Sequence, residues 1–184
     1  MLNPKQCVLY SGGAAGTEQF FGALAEGWGI DEVNYSFEGH QIERRRGVRM
    51  LTNEELALKD VSLAYVSKLM NREYTRAPLF RKVLQSICWQ ISSGNEIIVV
   101  GTIQADNTVK GGTGWGAELA KICNKPLLVF DQVRNDWFRW EDDSWKQVTN
   151  PVIEHNHFTA TGTRFLDDNG RDAIQGIFTR SFNR

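Results

Sequence analysis

The chain has 184 residues, 21 basic and 22 acidic side chains, and a formal net charge of −1. Its length fits one domain with a single core, so we predict that residues 1–184 form one domain. The balanced charge argues against a nucleic-acid partner, because proteins that bind polyanions present a basic face. No apolar run approaches the roughly 18 residues of a membrane span, and no apolar leader is apparent, which predicts a soluble, cytoplasmic protein with no membrane partner.

Cysteine and histidine usage gives no sign of a metal or a disulfide framework. Cys7, Cys88 and Cys123 each lie alone in an apolar segment, without C-x-x-C spacing. They predict buried free thiols in a reducing compartment. The three histidines are not spaced with cysteines or carboxylates as metal ligands are, so we predict no metal site and no cofactor.

Apolar periodicity predicts strands that alternate with helices along the chain. Two signals mark helix starts: residues 52–55 form a capping box, and Pro78 suits a first helical position. The aromatic stretch at residues 137–148 predicts a β-hairpin set outside a parallel core. In order, the predicted elements are strand 7–10, helix 17–28, strand 33–37, helix 52–70, helix 78–93, strand 97–100, helix 115–123, strand 127–130, hairpin 137–148, strand 158–160 and helix 168–181.

This alternation predicts an α/β fold: a Rossmann-like, doubly wound, mainly parallel sheet with an added aromatic β-hairpin. Three glycine-rich segments follow predicted strands: residues 11–18 (SGGAAGTE), residues 111–118 (GGTGWGAE) and residues 162–164 (GTR). Ligands of such folds bind at the carboxyl ends of the strands. We therefore expect the three segments to lie together at that edge of the sheet.

Glycine-rich turns between a strand and a helix are typical of phosphate or nucleotide sites. Glycine lets backbone N–H groups approach a ligand closely, and the N-terminus of the following helix attracts an anion. The alternative is a tight strand-to-helix turn with no ligand. Two such segments in one small domain, with Glu18 and Glu118 near the helix starts, favour the ligand site.

Residues 111–118 resemble the GGxGTxxE signature of the lysine-decarboxylase-like "Lonely Guy" phosphoribohydrolases, which belong to the Rossmann-like SLOG superfamily. The glycines and Glu118 match that signature in register. Trp115 stands at its threonine position, and Lys110 at the position of the preceding proline. Residues 11–18 are similar to the SG-A-GID stretch of the DprA group, which belongs to the same superfamily.

Residues 162–164, with Gly170, resemble the turn and helix that open this fold in DprA. Because that opening unit comes last here, the chain resembles the circularly permuted YpsA-like branch, which has also been described as molybdenum carriers. The resemblance covers most of the chain outside residues 137–148. It implies a circularly permuted SLOG fold in which residues 158–161 form an inner strand beside the first strand.

The resemblance also implies a small-molecule nucleotide ligand and, in enzymes of the superfamily, hydrolysis of the N-glycosidic bond of a nucleoside monophosphate. A helical glutamate and a nearby arginine support that reaction. Glu118 corresponds to the glutamate; Arg72, Arg76 and Arg81 lie where the family places the arginine, and Arg81 is the preferred catalytic residue because it falls on a helix. The carboxylate would stabilise an oxocarbenium-like centre. Both residues also suit solvated positions on a helix surface with no such role. Arg164 is a candidate phosphate contact, because a guanidinium can donate to two oxygens.

Two functions of different class stay open: an N-glycoside hydrolase, and a non-catalytic binder or sensor of nucleotide messengers. Trp115 in place of threonine favours the sensor, although this ring suits either base stacking or the core.

Glu18 is the second candidate carboxylate, and residues 44–46, three arginines, suit either a solvated face or a loop that closes over an anion. A homodimer is a further expectation. The predicted ligand-binding residues are Ser11, Gly12, Gly13, Gly16, Thr17, Glu18, Gly111, Gly112, Thr113, Gly114, Trp115, Gly162, Thr163 and Arg164.

Overall fold

The computed structural model describes residues 1–183, which form an α/β fold of eight strands and six α-helices after a short 3₁₀ helix, Pro4–Gln6. The strands are β1 (Val8–Ser11), β2 (Asp31–Ser36), β3 (Val48–Met50), β4 (Glu96–Gly101), β5 (Leu127–Asp131), β6 (Asp136–Glu141), β7 (Ser144–Val148) and β8 (His157–Gly162). The helices are α1 (Thr17–Trp28), α2 (Asn53–Ala57), α3 (Asp60–Met70), α4 (Pro78–Ser93), α5 (Gly112–Ile122) and α6 (Asp168–Ser181).

The strands form one sheet in the order β3-β2-β1-β8-β4-β5-β6-β7. The strands from β3 to β5 in this order run parallel, and β6 and β7 add an antiparallel hairpin at the β5 edge. Phe158 of β8 pairs with Leu9 of β1 on one side and with Glu96 of β4 on the other. The predicted inner strand beside β1 is therefore confirmed, and the predicted hairpin continues the same sheet.

Helices cover both faces of the sheet. β4 and β5 are buried at every position, as expected for parallel strands that are covered on both sides. α1 and α6 pack on one face, where the rings of Phe21 and Phe178 lie 5.8 Å apart. α3, α4 and α5 pack on the other face, around Leu63, Ile91 and Leu119. This two-sided cover leaves the strand ends as the accessible edge of the sheet.

The helix predicted over residues 52–70 is two helices. Thr52 forms the predicted capping box at the start of α2, but the chain turns at Leu58 and Lys59 before α3 begins. Leu56 of α2 packs in a cluster with residues of β2, whereas Leu63 of α3 packs in the core cluster of α4 and α5. The turn allows the two apolar segments to bury against these different clusters.

Two further predictions need correction, and one strand, β3, was not predicted. α5 begins at Gly112 rather than at Trp115, because Gly111, with a φ of 75°, is its N-cap. β3 is an exposed edge strand of three residues, too short to give an alternation signal. Cys123 is exposed at the end of α5, whereas Cys7 and Cys88 are buried as predicted. In the part of the chain that the structure describes, no helix is long and apolar enough to cross a membrane.

Candidate functional site

A cavity of about 590 Å³ lies at the carboxyl ends of β1, β8 and β4. Each of the three glycine-rich segments contributes to its lining, and α4 adds residues such as Val83 and Ile87. The volume falls within the roughly 300–1,000 Å³ that is usual for small-molecule sites. The structure thus brings the three segments together at the edge of the sheet where the sequence predicts a ligand.

The first segment contributes Ala14, Ala15 and Glu18 to the lining. Its other predicted residues shape the loop: Thr17 Oγ1, for example, donates a 2.8 Å hydrogen bond to the carbonyl oxygen of Thr163. Gly16, the N-cap of α1 with a φ of 84°, approaches Arg164 so closely that a Cβ would lie 2.5 Å from the Arg164 carbonyl oxygen. The predicted residues of this segment that do not line the cavity are Ser11, Gly12, Gly13, Gly16 and Thr17.

Glu18 is a buried carboxylate in the cavity lining, with 6% of its surface exposed. Its Oε1 accepts a 2.7 Å hydrogen bond from Thr161 Oγ1, and its Oε2 accepts a 3.0 Å hydrogen bond from the Ala14 N–H. Burial raises the pKa of Glu18, and the hydrogen bonds from Thr161, Ala14 and the Gly12 backbone act in the opposite direction. The site therefore holds an oriented carboxyl group that is shielded from water.

Gln90 of α4 is a second buried polar side chain of the cavity lining, only 1% exposed. Its Oε1 has no hydrogen-bond partner within residues 1–183. A Cβ at Gly12 would lie 2.5 Å from Gln90 Nε2 and 2.9 Å from Glu18 Oε2, so the amide and the carboxylate are close neighbours. A buried amide oxygen without a partner costs free energy, which a ligand that donates a hydrogen bond would offset.

The second segment contributes Gly111, Gly112 and Thr113 to the lining. Gly112 and Thr113 belong to the first turn of α5, whose backbone N–H groups have no partner within the helix. Gly111, the N-cap of α5, offers no side-chain cap either. Gly114 instead packs against the loop before it, since a Cβ there would lie 1.9 Å from the Val109 carbonyl oxygen.

Trp115 does not line this cavity. It is 4% exposed, and its ring lies 5.9 Å from that of Tyr74. It contributes instead to a more open groove of about 840 Å³, which shares Phe80, Lys110 and residues 111–112 with the cavity. The burial of Trp115 favours a core position over base stacking.

The third segment contributes Gly162, Thr163 and Arg164 to the lining. Gln132 supports the loop that follows, because its side chain donates to the Phe165 carbonyl oxygen at 3.1 Å and accepts from the Asp167 N–H at 3.0 Å. Within residues 1–183, Arg164 has no carboxylate within salt-bridge distance. Its guanidinium is thus available to an anion.

Cations and aromatic rings both border the cavity. Lys110, like Arg164, is exposed and forms no ion pair in the described part of the chain. Phe80 and Phe165 line the cavity and are 45% and 80% exposed. Two cations beside two accessible rings suit a ligand that combines an anionic group with a flat apolar one.

Glu118 lies away from the cavity. It is six residues beyond Gly112 on α5, about 9 Å further along the helix axis. Its Oε2 forms a 3.1 Å ion pair with Lys121, whose ammonium in turn lies 3.8 Å from the Trp140 ring centre. The earlier start of α5 moves Glu118 out of the first helical turn, where the sequence predicted it. Its predicted catalytic role has no support from this position.

Arg81 also turns away from the cavity. Its guanidinium forms a 2.8 Å ion pair with Asp60 and lies 4.5 Å from the ring centre of Tyr74. Asp60 begins α3, so the pair joins α3 to α4. The structure does not bring Arg81 and Glu118 together with the three glycine-rich segments.

The arginine run at residues 44–46 is partly buried rather than solvated. Arg44 donates to both carboxylate oxygens of Glu32, at 2.8 and 2.5 Å, and Arg46 donates to Glu32 Oε1 at 2.6 Å. The Arg44 backbone N–H donates to the Gly13 carbonyl oxygen at 3.0 Å. The run therefore supports the first glycine-rich segment, and only Arg45 points outward.

Sequence reasoning missed several lining residues. Gln90 and Ser86 are polar residues on the otherwise apolar face of α4, and that break in the pattern is the signal that could have found them. His40 lies in a loop with no periodicity, and its pKa is lowered by burial. No group of three or more metal-ligating side chains lies within residues 1–183.

No protein-family model, curated protein or solved structure matches this chain. The likeness to the SLOG superfamily and the circular permutation therefore stay predictions from short motifs.

Proposed function

We propose that the cavity binds a phosphorylated nucleoside. One observation carries the proposal: three glycine-rich segments from separate parts of the chain line one cavity at the carboxyl ends of β1, β4 and β8. Strand ends of parallel α/β sheets are the usual ligand position, and the uncapped first turn of α5 attracts anions. A parallel sheet would bring tight turns to one edge without a ligand, but it would not require a cavity of this size lined by the buried polar side chains Glu18 and Gln90.

The lining suggests how the parts of such a ligand would be arranged. The phosphate would lie against the N–H groups of Gly112 and Thr113, with Lys110 and Arg164 supplying positive charge. A guanidinium donates to two phosphate oxygens at once, so Arg164 would also orient the group. Phe80 and Phe165 would contact the base, and the buried acceptors Glu18 and Gln90 would face the sugar hydroxyls.

Binding without cleavage is the form of this function that the geometry supports best. Both residues assigned to catalysis from the resemblance, Glu118 and Arg81, are paired with other side chains outside the cavity. Among residues 1–183, Glu18 is the one carboxylate of the lining, and donors from three positions hold it. If the protein is an N-glycoside hydrolase, Glu18 is the residue placed to act on the sugar.

The test is a calorimetric titration with the four ribonucleoside monophosphates, followed by chromatography for released base. Arg164→Gln and Lys110→Gln should each weaken binding by about 10-fold or more, since a hydrogen bond to a charged group contributes about 1.5–3 kcal/mol. Lys146→Gln, at an exposed position on the hairpin, is the matched control. Wild-type protein that binds none of the four at millimolar concentration, or variants that bind as well as wild type, would refute the proposed site.

The same experiment separates the two forms of the function. A sensor binds nucleotide and releases no base, whereas a hydrolase releases base at a rate that Glu18→Gln lowers by about 10²-fold or more. If release of free base is unchanged in Glu18→Gln but lost in Glu118→Gln, the catalytic residue is Glu118.

A further inference from the structure

α3 has two apolar faces, of which only one is covered. Leu63, Val66 and Met70 are buried against α4 and α5. A second row of apolar side chains on α3, Val61, Tyr65 and Leu69, points to solvent at a spacing of four residues, which places the row along one side of the helix. Leu58, in the turn just before α3, is exposed as well. These four residues, the α3 stripe (Leu58, Val61, Tyr65 and Leu69), are 71%, 81%, 57% and 52% exposed.

The α3 stripe continues into the edge of the open groove. Leu69 and Phe80 both line that groove, and Phe80 is itself half exposed. Side chains of this size and exposure present roughly 100 Å² each, so the stripe and Phe80 together offer about 500 Å² of apolar surface. A monomer's largest apolar patch is about 300–600 Å², and patches of that size are often functional. The area approaches the roughly 600 Å² per partner of a small specific interface.

The charges around the stripe fit a second copy of the same chain. No charged residue lies within the stripe, and Lys68 is the one charged residue among the exposed positions of α3. If two α3 helices pack antiparallel about a two-fold axis at Tyr65, Val61 faces the partner's Leu69. The same register sets Lys68 opposite the partner's Ser62, so like charges do not meet. A symmetric interface needs this self-complementarity, because the same patch serves both subunits.

We propose that two copies of this chain form a dimer through the α3 stripe, as an antiparallel helix pair centred on Tyr65. None of the four stripe residues lines the cavity, so the dimer does not depend on the proposed nucleotide site. Phe80, which borders both the stripe and the cavity, is not part of the helix pair. The dimer would bury apolar side chains that a monomer leaves in water, which favours association.

The test measures the mass of the full chain in solution. At about 100 μM even a weak dimer forms. Wild-type protein at this concentration should therefore show twice the chain mass of 20.9 kDa when its elution is followed by light scattering. Val61→Lys combined with Tyr65→Lys should give a monomer that still unfolds cooperatively, because neither side chain is buried. Val133→Lys, an exposed apolar position elsewhere, should leave the dimer intact. A wild-type monomer, or a dimer that persists in the double variant, would overturn the proposal.

A cross-link tests the position of the axis. In a Cys123→Ser background, which removes the exposed native thiol, Tyr65→Cys should form a covalent dimer on mild oxidation. Residues on a two-fold axis meet their own copies, as a disulfide requires. Val133→Cys in the same background should stay monomeric on a denaturing gel. Equal cross-linking of the two variants would overturn the assignment of the axis to α3.

Discussion

Thr161 Oγ1 donates a 2.7 Å hydrogen bond to Glu18 Oε1, which joins the carboxyl end of β8 to the first turn of α1. Both groups are buried, at 1% and 6% exposure. The bond links the strand that completes the parallel part of the sheet to the helix that follows the first glycine-rich segment. It therefore orients the carboxyl group of the cavity. Burial raises the pKa of Glu18, and this hydrogen bond acts in the opposite direction.

The first prediction concerns the pH dependence of stability. Because burial raises the pKa of Glu18 in the folded state, the folded protein binds more protons than the unfolded chain in the pH range above the ordinary glutamate pKa. The contribution of Glu18 to the free energy of unfolding is thus fully present below that pKa and is lost as pH rises through the folded-state value. Urea unfolding of Glu18→Gln should show a weaker loss of stability with rising pH than wild type.

Glu38→Gln, at an exposed glutamate, is the control for this experiment. Its stability should differ from that of wild type by the same amount at each pH. Parallel stability curves for wild type and Glu18→Gln between pH 4 and about 7 would contradict the raised pKa.

The second prediction compares two glycines of the second segment. A Cβ at Gly114 would lie 1.9 Å from the Val109 carbonyl oxygen, whereas at Gly112 its nearest neighbour is the Phe80 ring, 3.6 Å away. Gly114→Ala should lower the free energy of unfolding by about 1–3 kcal/mol, because the loop before α5 has to move. Gly112→Ala should stay within about 0.5 kcal/mol of wild type. Equal effects in chemical unfolding would show that the loop before α5 is not packed against Gly114.

The third prediction concerns the buried ion pair between Arg44 and Glu32. Their side chains are 14% and 1% exposed, and Glu32 keeps Arg46 as a partner when Arg44 is removed. Arg44→Met should therefore lower the free energy of unfolding by about 1–3 kcal/mol, the cost of the hydrogen bonds that Glu32 loses. Arg45→Met, at the neighbouring exposed arginine, should change it by less than about 0.5 kcal/mol. Thermal unfolding of the two variants side by side gives the comparison, and similar melting temperatures would contradict the structural role of Arg44.

Local patterns in the sequence predict much of the fold. The 3.6-residue spacing of apolar residues and Pro78 at a first helical position predict α4. Gly29 ends α1 where the sequence predicts. The turn at Lys59 could not be predicted, since it depends on which distant cluster each half of the segment packs against. The same is true of β3, whose three residues pair with β2 only after the sheet has formed.

The candidate site, like the fold, could be predicted from the sequence only in part. Glycine-rich segments are local signals, and their convergence follows from the parallel sheet, so both could be predicted. The sequence offers Glu118 and Glu18 as alternative carboxylates and does not decide which one faces the cavity. α5 begins at Gly112 rather than at Trp115, so Glu118 lies beyond the first helical turn. Glu18 takes that place through a contact with Thr161, which lies 143 residues away in the sequence.

The position of β8 has a consequence for synthesis on the ribosome. β8 follows the other seven strands in the sequence, yet it lies between β1 and β4. Chains grow at about 5–20 residues per second, so β4 waits several seconds for residues 157–162 to be made. During that time β1 and β4 each have one edge without a partner, and exposed apolar strand edges are sites of aggregation. We therefore expect the nascent chain to be most prone to aggregation between the synthesis of β4 and that of β8.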